Sequence, residues 1–585
     1  MTKSEAETLY EAGIALLRTG DYDGAQTRFT AALASDPKFV MALNGLGLAL
    51  SSMGQDDDAL ASYNEAVRIE PNFASPYINR AVLQHRRGDA AGALASLDKA
   101  IALQPDNPNA HNNRGSILTE LQQPKAAIAS LEQVLAIDPN YPLVAGLRLL
   151  NKIYICDWNG FQRSLPALGA QLDRGEPGAP PWAMLPLIDR ADLQRKAAEA
   201  WIAGNAPEQK VLGPVQSYPH HERIRIGYFS ADLHRHATAH LIAELFERHD
   251  RKNFEIFAFS FGPATDDEMQ QRLKAGADQF IDVRGKTDRE IAALAREMEI
   301  DIAVDLKGIT VGHRIGIFAH RAAPIQVNYL GYPGTIGAPY MDYIIADNVI
   351  VPDESVQNYS EEVVRMPDSY QVNDRKRKVS DRKFTRAELG LPEDAVVFCC
   401  FNNNFKIMPY IFDLWMNIMH AVPNSVLWLI ADNPAAAENL QWEAERRGIE
   451  KKRLVFAERI SPEEHLARHE HADLFLDTYP YNAHTTASDA LWVGLPVITC
   501  PGDTFASRVA ASLLTAMDLK ELIFANLYEV EQTAIALAKD PARLAALKEK
   551  VRKNRATSPL FDTDRFARAL ESGYQQMIAA QRTKH

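Results

Sequence analysis

Apolar and small positions in the first 140 residues return on a fixed step of 34 residues. Pro37, Pro71, Pro105 and Pro139 share this step, as do Ala25, Ala59, Ala93 and Ala127. The same interval joins Phe29, Tyr63, Leu97 and Leu131, and it joins Gly13, Gly47, Ala81 and Gly115. Gly20, Gly54 and Gly88 continue it and then meet Gln122. Small residues suit places where two helices touch, large ones fill the gap to the next pair, and a proline closes each second helix. The pattern predicts four helical hairpins over 1–142, an all-α solenoid whose units bury apolar surface only by stacking. From Leu143 to Gln216 the step fails while the text stays helical, apart from the loop "GEPGAPPW" at 175–182. Residues 143–216 therefore read as a helical linker or extension of the solenoid.

Beyond 217 the pattern changes to short apolar runs that alternate with helical stretches. Strands are predicted at 224–230, 254–261, 301–305, 325–330 and 343–347, and again at 396–402, 426–431, 453–457, 473–477 and 496–499. Such alternation argues for parallel sheets covered on both faces. Two series joined near 350–390 predict two Rossmann-like lobes, 217–380 and 381–585, the second ending in C-terminal helices. Ligands of such sheets sit outside the carboxyl ends of the strands, so the polar residues there carry the information.

The 34-residue repeat is identified as the tetratricopeptide (TPR) pattern. A TPR groove predicts a bound peptide or protein, with dimerisation or spacing as the alternative use. Asn79 and Asn113 lie one repeat apart and are candidates to face that groove; the first two repeats carry Glu11 and Gly45 there.

Composition narrows the classes further. Hydrophobic content of 46% and charged content of 24% fit a soluble globular chain. A formal charge of −13 argues against general affinity for nucleic acid or anionic membranes. No apolar run approaches the roughly 20 residues of a membrane span, and "MTKSEAETLY" has no apolar signal core, so a cytoplasmic protein is expected. The four cysteines, Cys156, Cys399, Cys400 and Cys500, show no CxxC pair or zinc spacing. A DxD match in "QDDDAL" at 55–60 falls between repeat helices and is set aside as a metal site. No metal and no cofactor are expected. No GxGxxG follows the first strand and no GxxxxGK[ST] occurs, which disfavours dinucleotide dehydrogenases and P-loop enzymes.

Candidate chemistry gathers at strand ends. "NNNFK" places Lys406 just past a strand, where a cation can meet a phosphate. "SPEEHLAR" offers a capping box from Ser461 and Glu464, and sets His465 and Arg468 on one helical face. "NAHTTASD" puts His484, Thr485 and Thr486 at a helix start, where they are read both as a cap and as part of an anion site. Three consecutive βα turns thus converge on a diphosphate pocket. In the first lobe "SADLHRHATAHL" carries His236 and His240 one helical turn apart, a cleft-facing acid/base or acceptor-positioning group. Asp305 and Lys307 end another strand near the same face, and "NYLGYPGTIG" at 328–337, with Gly334 and Thr335, brings backbone towards the cleft as a candidate sugar or acceptor pocket.

These motifs, together with "APIQVNYLGYPGTIGAPYMDYIIAD" and "LDTYPYNAHTTASDALWVGLPVIT", resemble the O-linked N-acetylglucosamine transferases and the related SPINDLY-type proteins. The resemblance covers about 222–575 with a short solenoid in front. It implies a GT-B fold and inverting, metal-independent glycosyl transfer to Ser or Thr of a protein held partly by the TPR groove. It implies that Lys406 meets the donor diphosphate and acts in catalysis, and that His465 and Arg468 bind donor. By the same resemblance His484, Thr485 and Thr486 form the phosphate turn, and Asp489 takes the donor ribose. Asn403 stands where the family has a glutamine, and His236 matches the family's cleft histidine. Pro462 replaces a lysine of the animal enzymes, and Tyr481 replaces a small residue ahead of the "NxHTT" turn, which re-shapes the sugar pocket. UDP-N-acetylglucosamine is the first choice of donor. GDP-fucose or a CMP-linked acidic sugar placed on a bacterial surface protein such as flagellin, or a non-catalytic TPR scaffold, are the alternatives. Homo-oligomerisation is left open.

Overall fold

The structure, a computed structural model, describes residues 4–215, 218 and 221–584. The chain forms two compact units, Met1–Asn151 and Lys152–His585. The expected junction at 216/217 lies outside the described residues.

Unit one holds the four hairpins that the 34-residue step predicts. Glu5–Thr19 pairs with Tyr22–Ser35, Val40–Ser52 with Asp56–Ile69, Ala74–Arg86 with Ala90–Leu103, and Pro108–Glu120 with Pro124–Ile137. Each second helix stops two residues before its proline, at Ser35, Ile69, Leu103 and Ile137. The helix Val144–Tyr154 follows the fourth hairpin. The small residues permit close approach of the helices. A Cβ on Gly13 would stand 2.6 Å from the Phe29 ring, and one on Gly47 would stand 2.4 Å from Tyr63. Gly47→Ala is therefore expected to cost about 1–3 kcal/mol by overpacking, read as a lowered melting temperature of the helical unit. Asn79 Nδ2 donates to Asn44 Oδ1 at 2.9 Å, so the amide row includes a residue that the repeat register does not select. The DxD match lies inside a helix start and not between helices; Asp56 and Asp57 pair there with Arg86 and Arg87.

Unit two is built on two parallel sheets. The first contains β1 (Ile224–Ser230), β2 (Phe254–Ser260), β3 (Gln279–Asp282), β4 (Ile302–Asp305), β5 (Ile325–Asn328), β6 (Tyr343–Asp347) and β7 (Glu362–Met366) in the order 3-2-1-4-5-6-7. The second contains β8 (Val396–Cys400), β9 (Ser425–Ile430), β10 (Leu454–Ala457), β11 (Leu474–Leu476) and β12 (Val497–Ile498) in the order 10-9-8-11-12. The outer strands β3 and β7 escape the sequence pattern because they are edge strands with half-exposed faces. In both sheets the order reverses beside the lobe's first strand. The two crevices open between β1 and β4 and between β8 and β11, the place where such sheets hold ligands.

The last helix, Thr563–Lys584, follows the second lobe in sequence but packs on the first. His249 Nδ1 donates to Glu571 Oε1 at 3.0 Å, and Tyr228 meets both His249 Nε2 and the Tyr574 hydroxyl, all of them buried. The four cysteines are free and buried. No described helix is long and apolar enough to cross a membrane.

Candidate active site

Lys406 emerges from a single 3-10 turn, Asn404–Lys406, directly after β8. Its stem is buried, and Nζ donates to the Asn482 carbonyl at 2.8 Å while lying 3.7 Å from the Tyr481 ring centre. Burial pushes the ammonium down to about 7, opposed by the charge of Asp477. Asn403 caps the turn with its backbone and points to solvent, whereas its neighbour Asn402 is buried. Asn402 Nδ2 donates to Thr478 Oγ1 at 2.7 Å, and its Oδ1 accepts from Thr486.

Across the crevice, β11 ends in a turn organised by Asp477. Its Oδ1 accepts from the N–H groups of Thr478 and Ala483 at 2.7 and 2.6 Å, and its Oδ2 accepts from Thr499 Oγ1 at 2.6 Å. Burial raises this carboxyl to about 7. The turn feeds the helix Thr485–Trp492. His484, at the N-cap, makes no capping hydrogen bond, and the Thr486 hydroxyl goes to Asn402. The expected side-chain cap is therefore absent. The first-turn N–H groups stay open, and the helix dipole favours an anion in front of them. His484 Nε2 donates to the Ala506 carbonyl at 3.1 Å, which leaves Nδ1 as the acceptor of a neutral ring; burial, with Lys406 beside it, holds its pKa far below the usual range. Asp189, from the helical segment ahead of the lobes, fixes the loop that carries Ala506. It accepts from Tyr479 Oη at 2.6 Å, from Ser507 Oγ at 2.9 Å and from the Thr504 N–H at 3.1 Å.

The helix after β10, Pro462–Arg468, adds a second group. Ser461 accepts from the Glu464 N–H, but Glu464 turns to Arg382 at 3.0 Å instead of back to the cap, so only half of the expected capping box forms. Arg468 is buried. It donates to the Glu458 carbonyl and, at 2.6 Å, to His465 Nδ1, while its guanidinium lies over Phe401 and Trp428. A guanidinium only donates, so His465 accepts at Nδ1 and carries its proton on Nε2. Burial, with His469 and Arg468 beside it, pushes His465 down to about 2. Arg468 thus holds His465 at Nδ1. Asp489, four residues into its helix, is ion-paired with Arg377 of the segment that joins the lobes.

In the first lobe His236 caps the helix Ala237–Arg248 through Nδ1, which accepts from the Thr238 N–H at 3.2 Å. The neutral ring therefore carries its proton on Nε2. Asp232 Oδ2 lies 3.6 Å from the same Nδ1 and binds Lys307 Nζ at 2.8 Å, a buried pair spanning the β1/β4 crevice. Lys307 N–H also donates to Asp305, so both residues that end β4 line this crevice. His240 is half-buried one turn along; burial lowers its pKa, and Arg377 adds to the effect. In the glycine-rich turn a Cβ on Gly331 would stand 2.0 Å from the Leu306 carbonyl oxygen, so backbone rests directly on backbone. Gly334 backs onto Tyr332. Thr335 is buried, and its hydroxyl is already engaged with Glu361 at 2.5 Å and Ser360 at 3.0 Å.

The structure therefore brings Lys406, Tyr481, His484 and Thr486 into one cluster, and His465, Arg468 and Asp489 with Arg377 into another. The Asn403 side chain is exposed, and the Thr335 hydroxyl is committed to Glu361 and Ser360. Among the described residues no cluster of three His, Cys, Asp or Glu side chains is arranged to hold a metal.

The signature described as "Glycosyl transferase family 41" matches residues 210–384 and 382–570. The chain belongs to glycosyl transferase family 41. Tetratricopeptide repeat signatures match 10–72 and 85–150. The chain is 39% identical over 370 residues to the probable UDP-N-acetylglucosamine–peptide N-acetylglucosaminyltransferase SEC of Arabidopsis thaliana, a match that covers 62% of this chain and 38% of that protein. It is 28% identical over 553 residues to the UDP-N-acetylglucosamine–peptide N-acetylglucosaminyltransferase of Caenorhabditis elegans, which covers 72% of this chain and 48% of that protein. The chain thus spans less than half the length of these two curated relatives. A solved mutant of the Thermobaculum terrenum O-GlcNAc transferase superimposes with a TM-score of 0.67 at 28% identity, covering 93% of this chain and 98% of that one. For this family 41 member the TPR-plus-GT-B architecture read from the sequence matches that solved structure.

Proposed function

We propose that this family 41 protein transfers N-acetylglucosamine from UDP-N-acetylglucosamine to Ser or Thr hydroxyls of a protein acceptor that its TPR unit helps to recruit. The observation that carries the reading is the pairing of a buried lysine with an uncapped helix start on the two sides of the β8/β11 crevice. Both are fixed donors, placed where a diphosphate leaving group gathers charge. The activity for which the relatives are named favours UDP and N-acetylglucosamine over GDP-fucose or a CMP-linked acidic sugar.

The acceptor oxygen attacks the anomeric carbon on the face opposite the nucleotide. The new C–O bond forms as the bond to the diphosphate breaks, with inversion, and the hydroxyl proton passes to water. Lys406 and the N–H groups of Thr485 and Thr486 take up the charge of the leaving diphosphate. The Thr486 hydroxyl, held by Asn402, fixes the helix start against β8. His465 offers Nε2–H and Asp489 a carboxylate to the nucleoside side. His236, protonated on Nε2 while Nδ1 is occupied, suits a donor that positions the acceptor better than a base that deprotonates it. Tyr481, beneath Lys406, borders the sugar. These steps assign no role to a metal or cofactor.

Calorimetric titration of UDP, GDP and CMP into the protein tests the donor choice. UDP is expected to bind most tightly, and preference for GDP or CMP overturns it. The same titration across pH reads Lys406. Burial holds the ammonium down to about 7, and a bound diphosphate raises it. Below 7 the lysine is already charged, so it adds no further pH dependence. Above 7 binding takes up a proton, and affinity falls by up to about tenfold per pH unit. Lys406→Met is expected to abolish that slope.

A further inference from the structure

Residues 374–382, which join the two lobes, clip themselves to both. Arg375 binds Glu244 of the first lobe at 2.9 Å and Asp564 of the last helix at 2.7 Å. Arg382 binds Glu464 of the second lobe at 3.0 Å. Between them Arg377 turns inward. Its side chain is only 9% exposed and is ion-paired with Asp489, yet its Nη1 has no hydrogen-bond partner. A buried guanidinium N–H without an acceptor costs stability, and it marks a place where an acceptor belongs. The surroundings say what kind. Arg377 lies near enough to His240 of the first lobe and to His465 and His469 of the second for its charge to lower all three. Arg468 brings another buried cation, and Asp489 is the carboxylate paired with Arg377. The pocket is therefore electron-poor, made of neutral histidines and guanidinium groups, and suited to neutral carbonyl or hydroxyl oxygens. It is also separate from the Lys406 cluster: Asp489 sits a full helical turn beyond the open N–H groups of Thr485 and Thr486.

We propose that Arg377 is a nucleoside-recognition residue, oriented by Asp489, whose free Nη1–H donates to a carbonyl or ribose oxygen of the donor nucleotide. Being part of the inter-lobe segment, it couples nucleoside binding to the relative setting of the lobes that carry His240 and His465. Nothing in the residue pattern singles it out, because it is one of several basic residues in "NDRKRKVSDRK". This inference rests on the nucleotide-sugar reading given above.

The test separates nucleoside from phosphate. Uridine, UMP and UDP are titrated into wild type, Arg377→Met, Arg377→Lys and Lys406→Ala, with thermal melts to check folding. Arg377→Met is expected to weaken all three ligands by a similar factor, on the order of tenfold to a hundredfold for a buried charged donor. Arg377→Lys, which keeps charge but loses the planar fork, is expected to fall between. Lys406→Ala is expected to weaken UDP far more than uridine. Unchanged affinity in Arg377→Met overturns the assignment, and so does a loss confined to UDP, which makes Arg377 a phosphate cation. Should Arg377→Met not fold, the Arg377→Lys ratio of uridine to UDP affinities decides in the same way. If wild type holds guanosine or cytidine compounds instead, the UDP reading fails and Arg377 is judged by the same ratio with those ligands. If wild type binds none of them, both fail.

Discussion

Replacing Lys406 with alanine is expected to lower kcat by on the order of 10²–10³-fold, the usual cost of one preorganised donor at a developing charge. Nothing else in the pocket replaces it. His484 is neutral and has committed its Nε2–H to the Ala506 carbonyl, and Arg468 is committed to Glu458 and His465. The fold is expected to survive, because the lysine's Nζ contacts are one carbonyl and one ring face. Its removal takes a desolvated cation out of the interior, an intrinsically unfavourable group to bury. A melting temperature near that of wild type, with transfer largely lost at saturating donor, is the expected pair of results. Near-wild-type turnover places the charge stabilisation elsewhere.

The second large effect belongs to Asp477. Asp477→Ala is expected to remove nucleotide binding and to destabilise the second lobe together. The substitution strips the acceptor from two buried N–H groups, those of Thr478 and Ala483. Each orphan costs roughly 1–3 kcal/mol. The turn they shape delivers Asn482, which holds Lys406, and His484, which begins the helix. Asp477→Asn gives the discriminating contrast. The amide oxygen still accepts from both N–H groups, so the turn and the diphosphate site are expected to persist. The Thr499 hydroxyl loses its acceptor at Oδ2, and the negative charge is lost, a charge that raises the pKa of Lys406. Without it the lysine deprotonates at lower pH, so the decline in UDP affinity begins below about 7. Calorimetry across pH on the asparagine variant reads this shift; an unchanged profile shows that the carboxylate does not act on Lys406.

Both residues lie at strand ends, yet only one was legible as a site. Lys406 stands alone after an apolar run, in a βα turn, and the rule that ligands meet the carboxyl ends of strands finds it. The same rule finds His465 and the "HTT" turn. Asp477 ends the run "LFLD" and looks like any strand-end acid; the signal that points to it is a single carboxylate leaving a fully apolar strand into a turn rich in polar backbone. Arg377 is hidden for a different reason. Its partner Asp489 lies 112 residues away, and such a pairing is decided by how two lobes close on one segment. The solenoid was legible because its contacts are local and repeat: Gly47 meets Tyr63 and Gly115 meets Leu131 within one hairpin. The edge strands β3 and β7 were not, since half-exposed edges lack a clean apolar alternation. The return of the last helix to the first lobe rests on His249, Glu571 and Tyr574, whose contacts span more than 300 residues of chain.

The central claim is that the β8/β11 crevice holds UDP-N-acetylglucosamine while its sugar passes to a protein hydroxyl. It is tested most directly by incubating wild type and Lys406→Ala with sugar-labelled UDP-N-acetylglucosamine, GDP-fucose or a CMP-linked acidic sugar, and a cell extract as acceptor. Protein-bound label that alkaline β-elimination releases is then counted. Releasable label from UDP-N-acetylglucosamine in the wild type, largely lost in Lys406→Ala, is the predicted result. Label arriving only from GDP-fucose or the acidic sugar, or no protein-bound label from any donor, contradicts it.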